Sequence, residues 1–96
     1  MNIETLCESK GRFRVLKFLL EEGQANISRI IRETGLPHRL VEKHLEALKE
    51  AGVVVERRIG KLRIFEVDLT DARISATRQL LRELERLWGA SGGGDG

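Results

Sequence analysis

The sequence predicts a small, mainly α-helical domain with a single β-hairpin, and three observations support this prediction. Apolar residues recur at helical spacing in four segments, and glycine or proline separates most of these segments. One segment, residues 53–67, is instead rich in β-branched residues on both sides of a Gly-Lys pair, which is typical of two strands and a turn. The predicted order is helix, helix, tight turn, helix, hairpin and long helix, and 96 residues suffice for one such domain.

The first two predicted helices are short and end at glycines. The segment RFRVLKFLL, residues 12–20, places its apolar side chains in a broad stripe, and Gly23 ends the helix. Asn26 is a suitable N-cap for the second helix, because its side chain can accept a hydrogen bond from a free backbone N–H. Gly35 is expected to end the second helix in the left-handed conformation, which glycine adopts at little cost.

The third predicted helix begins at Pro37, whose fixed φ suits a helix start, and ends at Gly52. Its short glycine turn from the second helix is the arrangement of a helix-turn-helix. The next segment, VVVERRIGKLRIFEV, is predicted to form two strands joined at Gly60 and Lys61. A hairpin directly after the third helix is a wing, so the predicted fold is a winged helix-turn-helix.

The last predicted helix begins at Thr70 or Asp71, either of which can cap it, and continues to about Trp88. Its apolar residues alternate spacings of three and four, as in a helix that packs against another helix. This face can cover the domain's own core or pair with a second copy of the chain, and its width favours both uses. The residues expected in a homodimer interface are Ile74, Thr77, Leu81, Leu84, Leu87 and Trp88.

The chain therefore divides into three parts. A winged helix-turn-helix domain is expected at residues 1–69, and a C-terminal dimerisation helix at residues 70–88. The segment GASGGGDG, residues 89–96, holds five of the ten glycines and is expected to be a disordered tail.

Composition and charge exclude several classes of protein. The net charge is only +2, so any affinity for a polyanion must come from local clusters. The single cysteine, Cys7, excludes an intramolecular disulfide, fits a reducing cytoplasm, and is expected to be a buried apolar side chain rather than a redox trigger. No apolar run approaches the ~18 residues of a membrane span. No nucleophile–base pair, phosphate loop or carboxylate dyad is present, so we expect no enzyme activity.

The polar face of the third helix is the first candidate site. Arg39 and Lys43 are four residues apart and share one helical face, and an arginine can bind guanine O6 and N7 or a phosphate. The alternative is a solvated face in which Arg39 pairs with Glu42 and Lys43 with Glu46. His38, in the same first turn, is either a DNA contact or simply an exposed residue at the helix start.

The tip of the hairpin is the second candidate site. It holds four basic residues within seven positions. One interpretation is that charges protect an exposed strand edge from aggregation, but single or mixed charges would suffice for that. Four positive charges at one tip indicate phosphate contact instead. The four residues are Arg57, Arg58, Lys61 and Arg63.

The two histidines of the sequence are not expected to bind a metal ion. His44 lies on the apolar stripe of the third helix and is expected in the core, with a hydrogen bond to the backbone. It is six residues from His38, so the two do not share a helical face and make a poor metal pair.

With these elements the chain resembles the ArsR/MarR-type winged-helix transcription regulators of bacteria and archaea, over about residues 6–67. The resemblance lies in GRFRVLKFLL, in ISRIIRETGLP, and in VEKHLEALKEAGVVVERRIGKLRIFEV. It implies a homodimer on double-stranded DNA, with the third helix in the major groove and the hairpin on the backbone or minor groove. Metal-sensing members carry paired cysteines, which this chain lacks, so no metal or cofactor is expected. The implied DNA-binding residues are His38, Arg39, Glu42, Lys43, Arg57, Arg58, Lys61 and Arg63.

The interpretation that follows is a cytoplasmic, homodimeric transcriptional regulator that binds specific DNA sites, and the sequence identifies no effector. The excess of arginine over lysine, twelve to five, hints at a heat-adapted source. An alternative is a winged-helix protein-interaction module of the transcription or chromatin machinery that does not recognise DNA directly. The small net charge and Glu42 favour this alternative, and the basic hairpin tip opposes it.

Overall fold

The computed structural model describes residues 10–92, with side chains described to residue 87, and this part of the chain forms four helices and one three-stranded sheet. The architecture is the predicted winged helix-turn-helix with a long C-terminal helix. The predictions for Cys7, for the side chain of Trp88 and for residues 93–96 lie outside the part of the chain that the structure describes. The elements in chain order are α1 (Lys10–Glu22), β1 (Gln24–Asn26), α2 (Ile27–Thr34), α3 (His38–Glu50), β2 (Val55–Ile59), β3 (Leu62–Glu66) and α4 (Ala72–Gly92).

Local capping interactions delimit α2 and α3 near the predicted positions. Asn26 caps α2, because its side chain accepts a hydrogen bond of 2.8 Å from the backbone N–H three residues further on. Gly35 ends α2 with a φ of 72°, in the left-handed region. Pro37 precedes α3 and is not its first residue, and its carbonyl accepts hydrogen bonds from Leu40 and Val41. The turn between the two helices is therefore fixed by Gly35 and Pro37, which have special backbone properties and lie on either side of one ordinary residue.

The core lies where α1, α3 and the sheet meet. Its side chains come from every helix and from the inner face of the sheet, so that the third helix is held from one side only and keeps a polar face in solvent. The largest fully buried residues are Phe65, Leu16, Leu19, Leu20, Ile30, Leu45, Leu48, Val15 and Val41.

The strand β1 is a feature that the sequence does not predict. It is antiparallel to β3, with Ala25 opposite Phe65, and the sheet order is β1-β3-β2. Three residues, QAN, are too few and too polar to show the alternation of a strand. They extend because Gly23, with a φ of 86°, turns the chain back along β3, where its carbonyl accepts a hydrogen bond from Val67.

The last helix is longer than predicted. Asp71 caps it by accepting a hydrogen bond from the backbone N–H of Arg73. It continues to Gly92, four residues beyond Trp88, because extending an existing helix is much easier than starting one. Ile74 and Leu81 of α4 are buried against the chain's own core. Among the helices of residues 10–92, none combines the length and hydropathy that crossing a membrane requires.

A close approach of α1 to α3 depends on Gly11. A Cβ at this position would lie 2.7 Å from Nε2 of His44 and 3.4 Å from Cδ1 of Leu36. His44 is buried, as predicted, and its Nδ1 accepts a hydrogen bond of 3.4 Å from Nε of Arg12, which is also buried. The missing side chain at Gly11 thus makes room for the imidazole between the two helices.

We therefore expect Gly11→Ala to lower the free energy of unfolding by about 1 kcal/mol. Overpacking of a core costs about 1–3 kcal/mol, and the better helix propensity of alanine returns at most about 1 kcal/mol. Urea unfolding at one fixed protein concentration measures the change. In a His44→Ala background the same substitution should cost much less, and an equal cost in both backgrounds would show that the imidazole is not the obstacle.

Candidate nucleic-acid interface

The exposed face of α3 and the β2–β3 hairpin together form the candidate interface. The first turns of α3 present His38, Arg39 and Lys43 to solvent, because Val41 and His44 take the core side of the same turns. Every residue from position 57 to position 62 is exposed, so the outer half of the hairpin projects from the body of the domain. The interface therefore has two projecting parts, a helix face and a hairpin tip.

Arg63 connects these two parts. Its Nη1 donates to Glu42 of α3 at 2.8 Å, and its Nε donates to Glu56 of β2 at 2.8 Å. The guanidinium carbon also lies 5.2 Å from the ring centroid of Phe65, within range of a cation–π interaction. Lys49 of α3 donates to the other oxygen of Glu56 at 2.9 Å. We call these four charged residues, Glu42, Lys49, Glu56 and Arg63, the bridging network.

The bridging network holds its carboxylates in the ionised form. The hydrogen bond from Arg63, and then that from Lys49, lowers the pKa of Glu56 from 4.5 to about 2. The hydrogen bond from Arg63 also lowers the pKa of Glu42, and the two carboxylates raise the pKa of Arg63. The side chain of Glu56 is only 12% exposed, so solvent screens these contacts less than it screens a surface pair.

The ion pairs expected for a solvated α3 face are not formed in the described part of the chain. Glu42 pairs with Arg63, and Glu46 pairs with Lys49 at 3.1 Å. Arg39 and Lys43 consequently have no carboxylate partner among residues 10–92. Exposed cations of this kind are available to an external anion without first breaking an internal pair.

His38 lies beside the bridging network at the start of α3. Its Nε2 is 3.7 Å from Oε2 of Glu42, one turn further along the helix, and its side chain is 63% exposed. The position is that of a residue at the helix start with one ring edge toward solvent. Both interpretations of His38 made from the sequence, a DNA contact and an exposed helix-start residue, fit this placement.

The four basic residues of the hairpin differ in what they contact. Arg57 pairs with Glu66 at 2.9 Å across the strands, and Arg63 turns toward α3. Arg58 is 3.8 Å from Glu56 and its side chain is 70% exposed, while Lys61 at the turn forms no ion pair within residues 10–92. The sequence did not reveal these differences, because the partner of Arg63 on α3 is 21 positions away.

Groups of metal-ligating side chains are absent from the part of the chain that the structure describes. No three of its histidine, cysteine, aspartate and glutamate side chains come together in a way that could hold a metal ion. The chemistry that the interface offers is therefore that of exposed cations and hydrogen-bond donors, which suits an anionic polymer.

Comparison with known proteins agrees with this geometry. The sequence profile described as "Bacterial regulatory protein, arsR family" matches residues 9–55. Over 73 residues, which are 76% of this chain and 80% of the relative, the chain is 33% identical to an uncharacterized HTH-type transcriptional regulator, MJ1325, of Methanocaldococcus jannaschii.

Two solved structures share the fold at lower identity. The transcriptional repressor BigR from Xylella fastidiosa is 22% identical, with a TM-score of 0.75 over 90% of this chain and 81% of that chain. HlyU from Vibrio cholerae is 18% identical, with a TM-score of 0.73 over 85% of each chain.

The bridging network should give the stability of the protein a specific pH dependence. Because folding lowers the pKa of Glu56, its contribution is complete above the ordinary value of 4.5 and is lost as the pH falls toward about 2. Glu56→Gln should therefore destabilise the protein at pH 7, and the difference from the unsubstituted protein should shrink steadily between pH 5 and pH 2. Urea unfolding at several pH values measures this.

The matched control is Glu50→Gln, at an exposed glutamate in the last turn of α3. It removes the same charge without touching the bridging network, so its effect should be small at every pH. A Glu56→Gln difference that stayed constant from pH 7 to pH 2 would contradict the role assigned to the Glu56 carboxylate.

Proposed function

Because the chain belongs to the ArsR family of bacterial regulatory proteins and is a DNA-binding transcriptional regulator rather than an enzyme, we propose that it binds specific double-stranded DNA sites as a homodimer in the cytoplasm. In this proposal α3 of each subunit lies in the major groove of one half-site, and the β2–β3 hairpin meets the backbone or the minor groove beside it. A two-fold protein then matches a site whose half-sites are about 34–36 Å apart.

The observation that most supports DNA contact is the engagement of Glu42 and Glu46 within the chain. Glu42 pairs with Arg63 of β3 and Glu46 with Lys49 further along α3, so Arg39 and Lys43 have no carboxylate partner in residues 10–92. Arg39 is in the first turn of α3, where a helix in the groove approaches base edges, and its fork of donors suits guanine. Lys43, one turn further on, suits a phosphate, because a point charge needs no fixed geometry.

We assign different roles to the basic residues of the hairpin. Arg58 and Lys61 are the most suitable phosphate contacts, since they are exposed near the turn. Arg57 can reach phosphate while it remains beside Glu66. Arg63 and Glu42 act by positioning, because their charges are directed at each other and hold the hairpin against α3.

The proposed dimer uses the part of α4 that the core leaves uncovered. Leu80 and Leu87 are 45% and 54% exposed, and Leu84 between them is half-buried. These three leucines lie on one side of the helix, next to the side whose Ile74 and Leu81 pack on the body. An apolar strip of this kind on a helix is typical of a helix–helix interface between subunits.

The DNA contact on α3 is tested by an asymmetry between two variants. Arg39→Ala should lose about 1–3 kcal/mol of binding free energy on a site selected from random duplexes and much less on random DNA. Lys43→Ala should lose similar amounts on both, because a phosphate contact carries no sequence information. Competition titrations on selected and random duplexes, at several salt concentrations, measure both losses.

Lys10→Ala, at an exposed lysine outside the proposed interface, is the control for loss of a single positive charge. Its affinity should be close to that of the unsubstituted protein. Equal losses of affinity for Arg39→Ala on both kinds of DNA would show that Arg39 contacts the DNA backbone rather than a base. No loss for either α3 variant would favour the other interpretation of this fold, a protein-interaction module.

The dimer is tested by placing a charge on the exposed strip of α4. Leu84→Glu should convert a dimer of about 22 kDa, twice the 10.9 kDa of one chain, into a monomer, because a carboxylate is costly to bury at an apolar interface. Ser75→Glu, on the opposite side of the same helix, should leave the dimer intact. Sedimentation at tens of micromolar gives the masses, and a monomeric unsubstituted protein would refute the dimer.

A further inference from the structure

Two large apolar side chains are exposed at the tip of the hairpin. Ile59 is 57% exposed and Leu62 is 53% exposed, and they are directly opposite each other on either side of the turn at Gly60 and Lys61. Directly paired residues of antiparallel strands point to the same face of the sheet. The tip therefore presents a single apolar surface made by both side chains.

Hairpin stability explains this pair only in part. A cross-strand pair of this kind adds about 0.2–1 kcal/mol to the pairing of two strands. That contact leaves more than half of each side chain in water, at the most distant point of the hairpin from the core.

We propose that Ile59 and Leu62 form an apolar wedge that enters the minor groove of double-stranded DNA and partly unstacks one base step. The proposal rests on the proposed function, because it requires α3 to lie in the neighbouring major groove. Proteins that bend DNA from the minor groove insert leucine, isoleucine and similar side chains between base steps in this way. The wedge would give the hairpin tip a contact with the base stack, in addition to the phosphate contacts that its charges provide.

The charges around the pair fit this occupant. Arg57 shares the sheet face of Ile59, and Lys61 lies in the turn between Ile59 and Leu62. Both are exposed and can meet the phosphates that border a groove. A purely apolar tip would favour a protein partner, whereas an apolar pair with cations at its sides matches an apolar base stack between two rows of phosphates.

The position of the pair on the hairpin also fits. Arg63 fixes β3 against α3, and Leu62 is the next residue toward the turn, so the wedge pair lies about 3.3 Å along the strand from that anchor. The bridging network therefore fixes the position of the pair relative to α3. The wedge should select flexible pyrimidine–purine steps, which unstack at the lowest cost.

The test compares a tip variant with a matched variant on the same strand. Ile59→Ala/Leu62→Ala removes the wedge. Val55→Ala is the control, because Val55 is also 57% exposed, lies on the same strand and face, and is four residues from the tip. A selected duplex carries fluorophores at its ends to report bending and 2-aminopurine at a pyrimidine–purine step to report unstacking.

We expect the unsubstituted protein and Val55→Ala to bend the duplex and to raise the 2-aminopurine emission. The double variant should lose both signals and about tenfold in affinity for the selected site, with the salt dependence of binding unchanged, because its cations remain. Ile59→Leu, which keeps the apolar volume, should retain the bend and thus separates loss of the wedge from loss of the hairpin fold.

The wedge and the proposed function fail in different ways. If the double variant bends and unstacks DNA like the unsubstituted protein, the wedge is wrong, while a selective loss for Arg39→Ala would still support DNA recognition by α3. Unchanged DNA behaviour together with a loss of self-association in the double variant would assign the tip to a protein contact and also refute the wedge. If the unsubstituted protein does not bind duplex DNA, both proposals are refuted.

Discussion

The interaction of Arg63 with two carboxylates is the constraint on which the rest of the interface depends. The helix α3 and the sheet share the core, but the exposed face of α3 and the outer half of the hairpin project beyond it, so a contact outside the core is needed to fix the angle between these two parts. The planar guanidinium donates in two directions at once, to Glu42 on α3 and to Glu56 on β2, which the single ammonium of a lysine cannot do with the same fixed geometry. Lys49 closes the arrangement from the other side of Glu56.

The same interaction explains how a chain with a net charge of +2 can present a cationic surface. Carboxylates near a DNA-binding face normally repel phosphate, so Glu42 on α3 would by itself be expected to weaken DNA binding. In the structure Glu42 pairs with Arg63 and Glu46 with Lys49, and both cations also pair with Glu56, so two positive charges offset most of the three negative ones. The cations that face solvent, Arg39 and Lys43, are therefore those whose field is not cancelled at short range. Net charge is a poor guide to the charge of this surface, because the local charge depends on which side chains form pairs in the fold.

The sequence predicted those features that depend on neighbouring residues. The cap at Asn26 and the left-handed glycine at position 35 depend on residues within one helical turn, so a few neighbouring residues were enough to predict the ends of α2. The apolar periodicity and the basic tip likewise gave the fold class and the two parts of the interface.

Features that depend on distant residues were missed or incomplete. The strand β1 exists only because β3 lies beside it, and the role of Arg63 depends on a carboxylate 21 positions earlier. The sequence also could not show whether Ile59 and Leu62 are exposed or buried, since an alternating apolar pattern does not identify the side of a hairpin that faces the core.

Different residues of α3 contact the core, the hairpin and solvent, and this limits how the binding specificity of this protein can be redesigned. Three positions, 38, 39 and 43, can be varied in a library without disturbing the packing of the helix, since their side chains face solvent. Glu42 stands among them, yet changing it would release Arg63 and alter the orientation of the hairpin at the same time. A library that randomises the whole exposed face would thus mix altered base preference with altered geometry, and a library that keeps Glu42 would separate them.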